Sequence, residues 1–192
     1  MRRNYVIASV IIVLIVLVSA VVGILASTRR SGPTIIRVEP ENVGPLAVGD
    51  TFTVNVTAEN CVNVFAVQVD LRYDPTVLNA TKIVEGPFLP SFSNTIPLIN
   101  WASNFTNTMP RSAGVYFADT LEDYSNGTHA RADGSGVLLT ITFKVVGGGS
   151  TELQLFPYDP TIANNVFGTY FEDRNTHYTL PELQNGAYGE SS

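Results

Sequence analysis

Four acidic residues lie close together in the second half of the sequence, and they are the first candidates for chemistry. Asp119, Glu122 and Asp123 precede a polar stretch that ends near Asp133. Hard cations such as Ca²⁺ bind several carboxylate oxygens, so a calcium site is one interpretation of this grouping. The spacing does not match a helix–loop–helix calcium motif. We therefore expect these four acids to be solvated loop residues.

The sequence offers no recognisable set of catalytic residues. Its two histidines, His129 and His177, fall in polar stretches and are not at metal-ligand spacing from each other or from Cys61. Nucleophile elbows, phosphate-binding loops and dinucleotide fingerprints are absent from the sequence. The adjacent carboxylates Glu122 and Asp123 could serve glycoside hydrolysis, but neighbouring acids in a polar loop are usually only solvated. We predict a non-enzymatic chain with no catalytic residue, no metal ligand and no cofactor of its own.

Two aromatic residues could contact a sugar. Trp101, the only tryptophan, and Tyr116 fall on segments that we predict to be neighbouring strands. Aromatic rings in an exposed flat row bind polysaccharides, whereas a single aromatic residue at a strand centre more often packs in a core. The sequence leaves both interpretations open.

Charge excludes one class of partner. Residues 1–30 hold four of the 11 basic residues and none of the 17 acidic ones, which leaves residues 31–192 with a net charge of −10. Nucleic-acid binding needs a basic surface, so we exclude it. The negative charge fits solubility, or attraction of a basic partner or of divalent cations. Cys61, the only cysteine, is expected to be a small buried hydrophobic residue.

The first thirty residues predict a membrane segment. Residues 6–26 contain no charged side chain, and as a helix they would span ~31 Å, close to the thickness of the hydrocarbon core of a bilayer. We favour a retained single-pass anchor over residues 1–30, a linker at 31–33 and an extracellular domain at 34–192. The alternative is a secretory signal that is cleaved near Ala20. Glycosylation motifs fit an outside location and occur at Asn55, Asn79, Asn104 and Asn126.

Hydrophobic alternation predicts strands throughout the rest of the chain. Residues 64–73 alternate apolar and other side chains with a period of two, and the Asp74-Pro75 pair then ends the strand. Further strands are predicted at 34–38, 51–58, 82–85, 98–104, 115–119, 138–146, 153–156 and near Gly186. Sustained helical periodicity is absent after residue 26. We predict an all-β, antiparallel sandwich with jelly-roll architecture behind one transmembrane helix.

Four segments resemble the cohesin family in order and spacing. They are VFAVQVDLRYDPTVL at 64–78, GVYFAD at 114–119, DGSGVLLTITFKVV at 133–146 and LQNGAY at 183–188. The resemblance runs from about residue 34 to residue 189. It implies a sandwich domain that binds a dockerin, which is a small calcium-loaded helical module of another protein. Any calcium requirement would then belong to the partner.

The resemblance also implies which residues bind. The family's contact surface includes the strand that matches residues 64–73, whose outward positions here are Ala66, Gln68, Asp70 and Arg72. One cohesin type has Asn and Asp at the positions of Ala66 and Gln68, so we expect a different dockerin specificity. We also expect Gln68→Ala and Asp70→Ala to weaken partner binding while leaving thermal unfolding nearly unchanged.

Three functions remain open at this point. The first is a cell-surface domain that captures a dockerin-like protein without catalysis. The second is an extracellular polysaccharide-binding module that uses Trp101 and Tyr116. The third is a structural subunit of a surface layer or filament.

Overall fold

The computed structural model describes residues 32–103, 113–122, 130–162 and 167–189. The chain divides into two compact units, 1–32 and 33–192, and the description concerns the second. The predicted membrane segment at 6–26 lies outside the described residues. Within those residues, no helix has the length and apolar character needed to cross a membrane.

The described part is almost entirely β-structure, with one short 3₁₀ turn at Leu89–Ser91. In chain order, the strands are β1 (Ile35–Glu39), β2 (Asn42–Val43), β3 (Thr51–Val64), β4 (Ala66–Tyr73), β5 (Leu78–Glu85), β6 (Thr95–Ser103), β7 (Ala113–Leu121), β8 (Ala132–Val145), β9 (Thr151–Leu155), β10 (Tyr170–Glu172), β11 (Tyr178–Thr179), β12 (Glu182–Gln184) and β13 (Gly186–Tyr188).

Two sheets enclose one hydrophobic core. The first sheet has the order β12-β1-β3-β8-β5, and its two long central strands pair antiparallel with Val54 opposite Ile141. The second has the order β11-β10-β4-β9-β13-β2, and β7 and β6 extend it from the other edge of β4. Apolar residues at every second position of both sheets meet between them. Fully buried examples are Val56, Ile141 and Phe143 from the first sheet, and Leu71, Phe117 and Leu153 from the second.

The predicted all-β sandwich is confirmed, with two corrections to its detail. The sheets are not purely antiparallel, because β1 pairs with β12 and β2 pairs with β13 in parallel. The polar stretch before residue 138 is not all loop, since β8 already begins at Ala132 and pairs with the far end of β3. Within the part of the chain that the structure describes, the buried residues of the core lie between Ile36 and Tyr188. The 33–192 unit therefore has a hydrophobic core of its own, as a domain that folds independently does.

One interruption of the second sheet positions the candidate site. Strand β9 runs antiparallel to β4 as far as Phe156, whose N–H donates to the carbonyl of Asp70 at 2.8 Å. The chain leaves the sheet there and returns as β10, which pairs with the next part of β4 in the same direction. We call residues 157–169 the excursion. Its ends meet, because the N–H of Thr169 donates to the carbonyl of Phe156 at 2.8 Å.

Candidate functional site

The outer face of β4 carries the residues that the sequence singled out. The inward positions Val67, Val69, Leu71 and Tyr73 are buried in the core. Strand alternation therefore turns Ala66, Gln68, Asp70 and Arg72 away from the core. On the adjacent β7, Ala118, Tyr116 and Gly114 lie opposite Gln68, Asp70 and Arg72 in register. Directly opposed residues share a face, so these two strands together form the centre of the outer surface of the second sheet.

Three of the four predicted residues are buried although they point away from the core. Gln68 is 9% exposed, Asp70 is 0% exposed and Arg72 is 8% exposed. The cover comes from the end of β9 and from the excursion. The guanidinium carbon of Arg72 lies 3.3 Å from the ring centroid of Phe156, and Nε2 of Gln68 donates to the carbonyl of Gly168 at 2.9 Å. Ala66 is only half-buried.

A buried ion pair lies under this cover. Two nitrogens of Arg72 bind the two carboxylate oxygens of Asp70: Nη2 to Oδ2 at 3.0 Å, and Nε to Oδ1 at 3.3 Å. Burial raises the pKa of Asp70, whereas the hydrogen bond and charge of Arg72 and the N–H of Gly168 act in the opposite direction. The hydroxyl of Thr169 also accepts the backbone N–H of Asp70 at 3.1 Å. The pair therefore ties the end of the excursion to the middle of β4.

Tyr116 belongs to the same covered face. Backbone register pairs Trp101 with Tyr116, so the two predicted segments are neighbouring strands. The Tyr116 side chain is only 9% exposed and packs edge-on against Phe167 at 5.7 Å. A Cβ atom at Gly114 would lie 2.5 Å from this ring, so glycine is what leaves room for it. Tyr116 therefore does not belong to an exposed flat row, and the side chain of Trp101 lies outside the described residues.

Three tyrosines cluster beside the covered face, and sequence reasoning missed them. Tyr158 lies in the excursion, Tyr170 on β10 and Tyr178 on β11, with ring centroids 4.6, 5.2 and 5.1 Å apart. Tyr170 stands opposite Gln68, and Glu172 stands opposite Ala66. The sequence pattern that could have predicted strand β10 is the short alternation of Tyr170 and Glu172 around the buried Phe171. A strand of only three residues gives too short a pattern to separate from a loop.

A second buried acid lies on the inner face of the same sheet. Asp119 is 0% exposed, in register with the core residue Val67. Burial, together with a hydrogen bond and repulsion from Glu85, raises the pKa of Asp119 to about 7. Its Oδ1 accepts the N–H of Thr120 at 2.8 Å, and Glu85 accepts the hydroxyl of Thr95 at 2.8 Å. The two carboxyl groups thus meet between β7 and β5.

The expectation of four solvated loop acids is therefore wrong for the buried Asp119. The side chain of Asp133 is exposed as expected, although this residue lies in a strand rather than in a loop. Asp119 is buried within β7, and Asp133 lies in β8, where it pairs with Arg131 at 3.4 Å and accepts the N–H of Asn63. The side chain of Glu122 accepts a hydrogen bond from Asn94 at 3.0 Å, and Asp123 lies outside the described residues. The described residues contain no group of three or more His, Cys, Asp or Glu side chains that could hold a metal ion.

The remaining predicted residues lie at separate places. Cys61 is buried in the core as predicted, and burial raises the pKa of its thiol to about 12. Asn55 and Asn79 are half-buried on β3 and β5, and Oδ1 of Asn55 accepts the hydroxyl of Thr140 at 2.7 Å. Asn104, Asn126 and His129 lie outside the described residues. His177, in the turn between β10 and β11, contacts the carboxylate of Asp173 at 3.2 Å.

These features define a two-sheet sandwich module with a covered outer face and an exposed aromatic cluster at its edge. A family model of the cohesin domain matches residues 36–167. The chain belongs to the cohesin family. The match ends within the excursion, so Tyr170, Glu172 and Tyr178 lie beyond the matched residues.

Individual known proteins agree with this assignment. "Cell surface glycoprotein 1" of Acetivibrio thermocellus is 28% identical over 134 residues, which cover 66% of this chain and 6% of that protein. A non-cellulosomal cohesin from the archaeon Archaeoglobus fulgidus has a TM-score of 0.53 at 18% identity, covering 83% of this chain and 93% of that one. A chain in a type I cohesin–dockerin complex from Clostridium thermocellum has a TM-score of 0.55 at 16% identity, covering 85% and 97%. The structural likeness supports the fold, and the chain spans only a small part of its curated relative.

Proposed function

We propose that this chain is a non-catalytic, cell-surface cohesin that binds a dockerin-type module of another protein. Membership of the cohesin family carries the proposal. Solved chains with the same fold are described in complexes with dockerins, and the curated relative is a cell-surface protein. Residues 6–26 would hold the domain to the membrane, with the 33–192 unit outside the cell.

Because three outward residues of β4 are covered, a partner would not bind them directly. Gln68, Asp70 and Arg72 have their polar atoms engaged with one another and with the excursion, so a partner would meet them only indirectly. We propose that they position the excursion, and that apolar residues around it make the contact. Phe167 is 41% exposed, and Ile96 on β6 is 46% exposed and in register with Thr120 on the outer face. Large apolar side chains left exposed on one face mark a candidate protein-binding surface.

A matched pair of variants tests which sheet binds. Ile96 on the second sheet and Val84 on the first are 46% and 44% exposed, and both face away from the core. The 33–192 unit and its Ile96→Asp and Val84→Asp variants are titrated calorimetrically against a panel of dockerin modules with calcium. We expect Ile96→Asp to weaken binding about tenfold or more, because it places a charge in a contact, and Val84→Asp to have little effect.

Calcium and polysaccharide arms complete this test. Chelator should abolish binding while leaving the thermal unfolding of the 33–192 unit unchanged, because we assign the calcium to the partner. Soluble polysaccharides should give no heat. If no dockerin binds, or if a polysaccharide binds in place of one, the proposed function is wrong. Self-association of the unit would instead favour a structural subunit of a surface layer or filament.

A further inference from the structure

The geometry points to a cation-binding site at the edge of the second sheet. We propose that Tyr158, Tyr170 and Tyr178 with Glu172, here called the tyrosine–carboxylate cluster, bind a lysine or arginine side chain of the partner protein. This inference specifies which chemical group of the partner is bound. It rests on the proposed function in one respect, namely that the partner is a protein.

The three rings form a contiguous and accessible aromatic surface. They come from three separate segments, the excursion, β10 and β11, and their centroids lie 4.6 to 5.2 Å apart. Tyr178 is 47% exposed, whereas Tyr158 and Tyr170 are half-buried. Large aromatic side chains left at a surface in such a group are characteristic of binding sites rather than of a core.

The ring angles favour a cation over a sugar. The interplanar angles are 47°, 50° and 85°, so the three rings do not present the flat row that a polysaccharide chain needs. A cation needs the face of one ring rather than a row of rings, and Tyr178 is the most exposed of the three. The face of an aromatic ring carries partial negative charge and attracts an ammonium or guanidinium group within about 6 Å of its centroid.

Glu172 adds a formal negative charge to this surface. It is half-buried on β10, two residues from Tyr170. Burial and the charge of Glu172 raise the pKa of Tyr170 to about 12, and the charge of Glu172 also raises the pKa of Tyr178. Tyr170 and Tyr178 therefore stay neutral at physiological pH, and the carboxylate carries the charge. Burial and repulsion from Asp173 also raise the pKa of Glu172, so a cation from outside would relieve an unfavourable charge.

The nearby cations of the chain have aromatic contacts elsewhere. Arg72 packs on Phe156 and pairs with Asp70, and the guanidinium of Arg174 lies 5.5 Å from the Phe65 ring centroid. The two lysines, Lys82 and Lys144, lie on β5 and β8 of the other sheet. Residues 31–192 carry a net charge of −10, which draws a basic partner toward the domain. Charge and aromatic geometry therefore favour the same kind of ligand.

The direct test compares two small probes that differ in one charge. N-acetyl-lysine methylamide and its norleucine analogue, which keeps the alkyl stem and lacks the ammonium group, are titrated into the ¹⁵N-labelled 33–192 unit. We expect the lysine probe to shift resonances of residues 158, 170–172 and 178, and the norleucine probe to shift them far less. Glu172→Gln and Tyr178→Leu should each lower the affinity for the lysine probe roughly two- to fivefold. Glu182→Gln, an exposed acid on β12 of the other sheet, should not.

The outcomes separate this site from the proposed function. Equal shifts from both probes, or lysine shifts located elsewhere, would overturn the site. So would a dockerin that binds the wild-type unit, and the Glu172→Gln and Tyr178→Leu variants, with the same affinity and the same salt dependence. Failure of every dockerin to bind would overturn the proposed function, and the probe titration would still decide the site. Because Glu172→Gln removes a charge without removing packing, a folding defect in Tyr178→Leu would not obscure the result.

Discussion

Two buried aspartates lie on opposite faces of the second sheet, and they differ in their neighbours. Asp70, on the outer face, has a guanidinium bound to both of its carboxylate oxygens. Asp119, on the inner face, has a second carboxyl group, that of Glu85, beside it. Burial raises the pKa of both groups, but only Asp70 has a cation that opposes the rise. The neighbour, and not burial alone, therefore determines whether a buried acid can hold its charge.

The largest effect should come from removing the cation beside Asp70. We expect Arg72→Met to destabilise the 33–192 unit by about 3–5 kcal/mol near pH 7, because it leaves a buried carboxylate without its partner. Urea unfolding measures the loss. The loss should shrink as the pH is lowered, since burial raises the pKa of Asp70 and the carboxyl group can then take up a proton.

The double variant Arg72→Met with Asp70→Asn is the control for this result. It removes both charges, and it should regain much of the stability that the single variant loses. A single variant that unfolds like the wild type would show that the ion pair is not buried in solution. On the sequence alone, Asp70→Ala is expected to leave thermal unfolding nearly unchanged. Because Asp70 is fully buried, the expected loss of stability on breaking this ion pair replaces that prediction.

The second effect concerns Asp119 and has a pH dependence of definite sign. Its pKa is raised from 3.8 to about 7 in the folded protein, so the folded state holds a proton that the unfolded state releases above about pH 4. This group therefore stabilises the fold fully below pH 4, and its contribution is lost as the pH rises toward and through 7. We expect the difference in unfolding free energy between the wild type and Asp119→Asn to change across this range.

Asparagine at position 119 keeps the shape of the protonated acid and cannot ionise. Asp119→Asn should therefore be more stable than the wild type at pH 8, and the advantage should disappear near pH 4. Comparing the two proteins in urea at several pH values cancels the contributions of the other acids, such as Asp159 and Asp173, whose pKa values are lowered. A difference that does not vary with pH would contradict the carboxyl pair.

The sequence predicted the inner face of the sandwich better than the outer face. The alternation in 64–73 correctly assigned Val67, Val69 and Leu71 to the core, because a period of two is a local property of the strand. The same reasoning applied to 113–121 would have turned Asp119 inward with Val115 and Phe117. The buried acid was therefore visible in the pattern, although the pattern contains nothing that would identify Glu85 as its neighbour.

The cover of the outer face could not be predicted from local pattern. The groups that bury Gln68 and Arg72 belong to residues 156 and 168, far away in sequence. They reach β4 because the excursion interrupts a strand that pairs with it on both sides of the interruption. Strands β10, β11 and β12 have three residues or fewer and form no period that a sequence window can detect. The tyrosine–carboxylate cluster includes residues of β10 and β11, so it can be recognised only when the pairing of these strands is known.

A smaller effect tests how Gln68 holds the excursion. The side-chain amide of Gln68 donates to the carbonyl of Gly168, and both residues are buried. Gln68→Ala should destabilise the unit by about 1–2 kcal/mol, because it leaves a buried carbonyl without its donor. Hydrogen exchange of the amides of residues 167–169 should quicken more than that of residues 139–143 in β8. Uniform quickening would mean that Gln68 contributes to the whole fold rather than to the excursion.

The smallest effect should come from Glu172, a further acid of this sheet. Its side chain is only half-buried and forms no ion pair among the described residues, so Glu172→Gln should change the unfolding free energy by no more than about 0.5 kcal/mol. Asp70 and Asp119 thus act within the fold, whereas Glu172 is free to act on a partner. A urea titration of Glu172→Gln beside Arg72→Met and Asp119→Asn at pH 7 measures all three on one scale. A loss for Glu172→Gln as large as that for Arg72→Met would place this carboxylate among the structural acids and remove the charge from the tyrosine–carboxylate cluster.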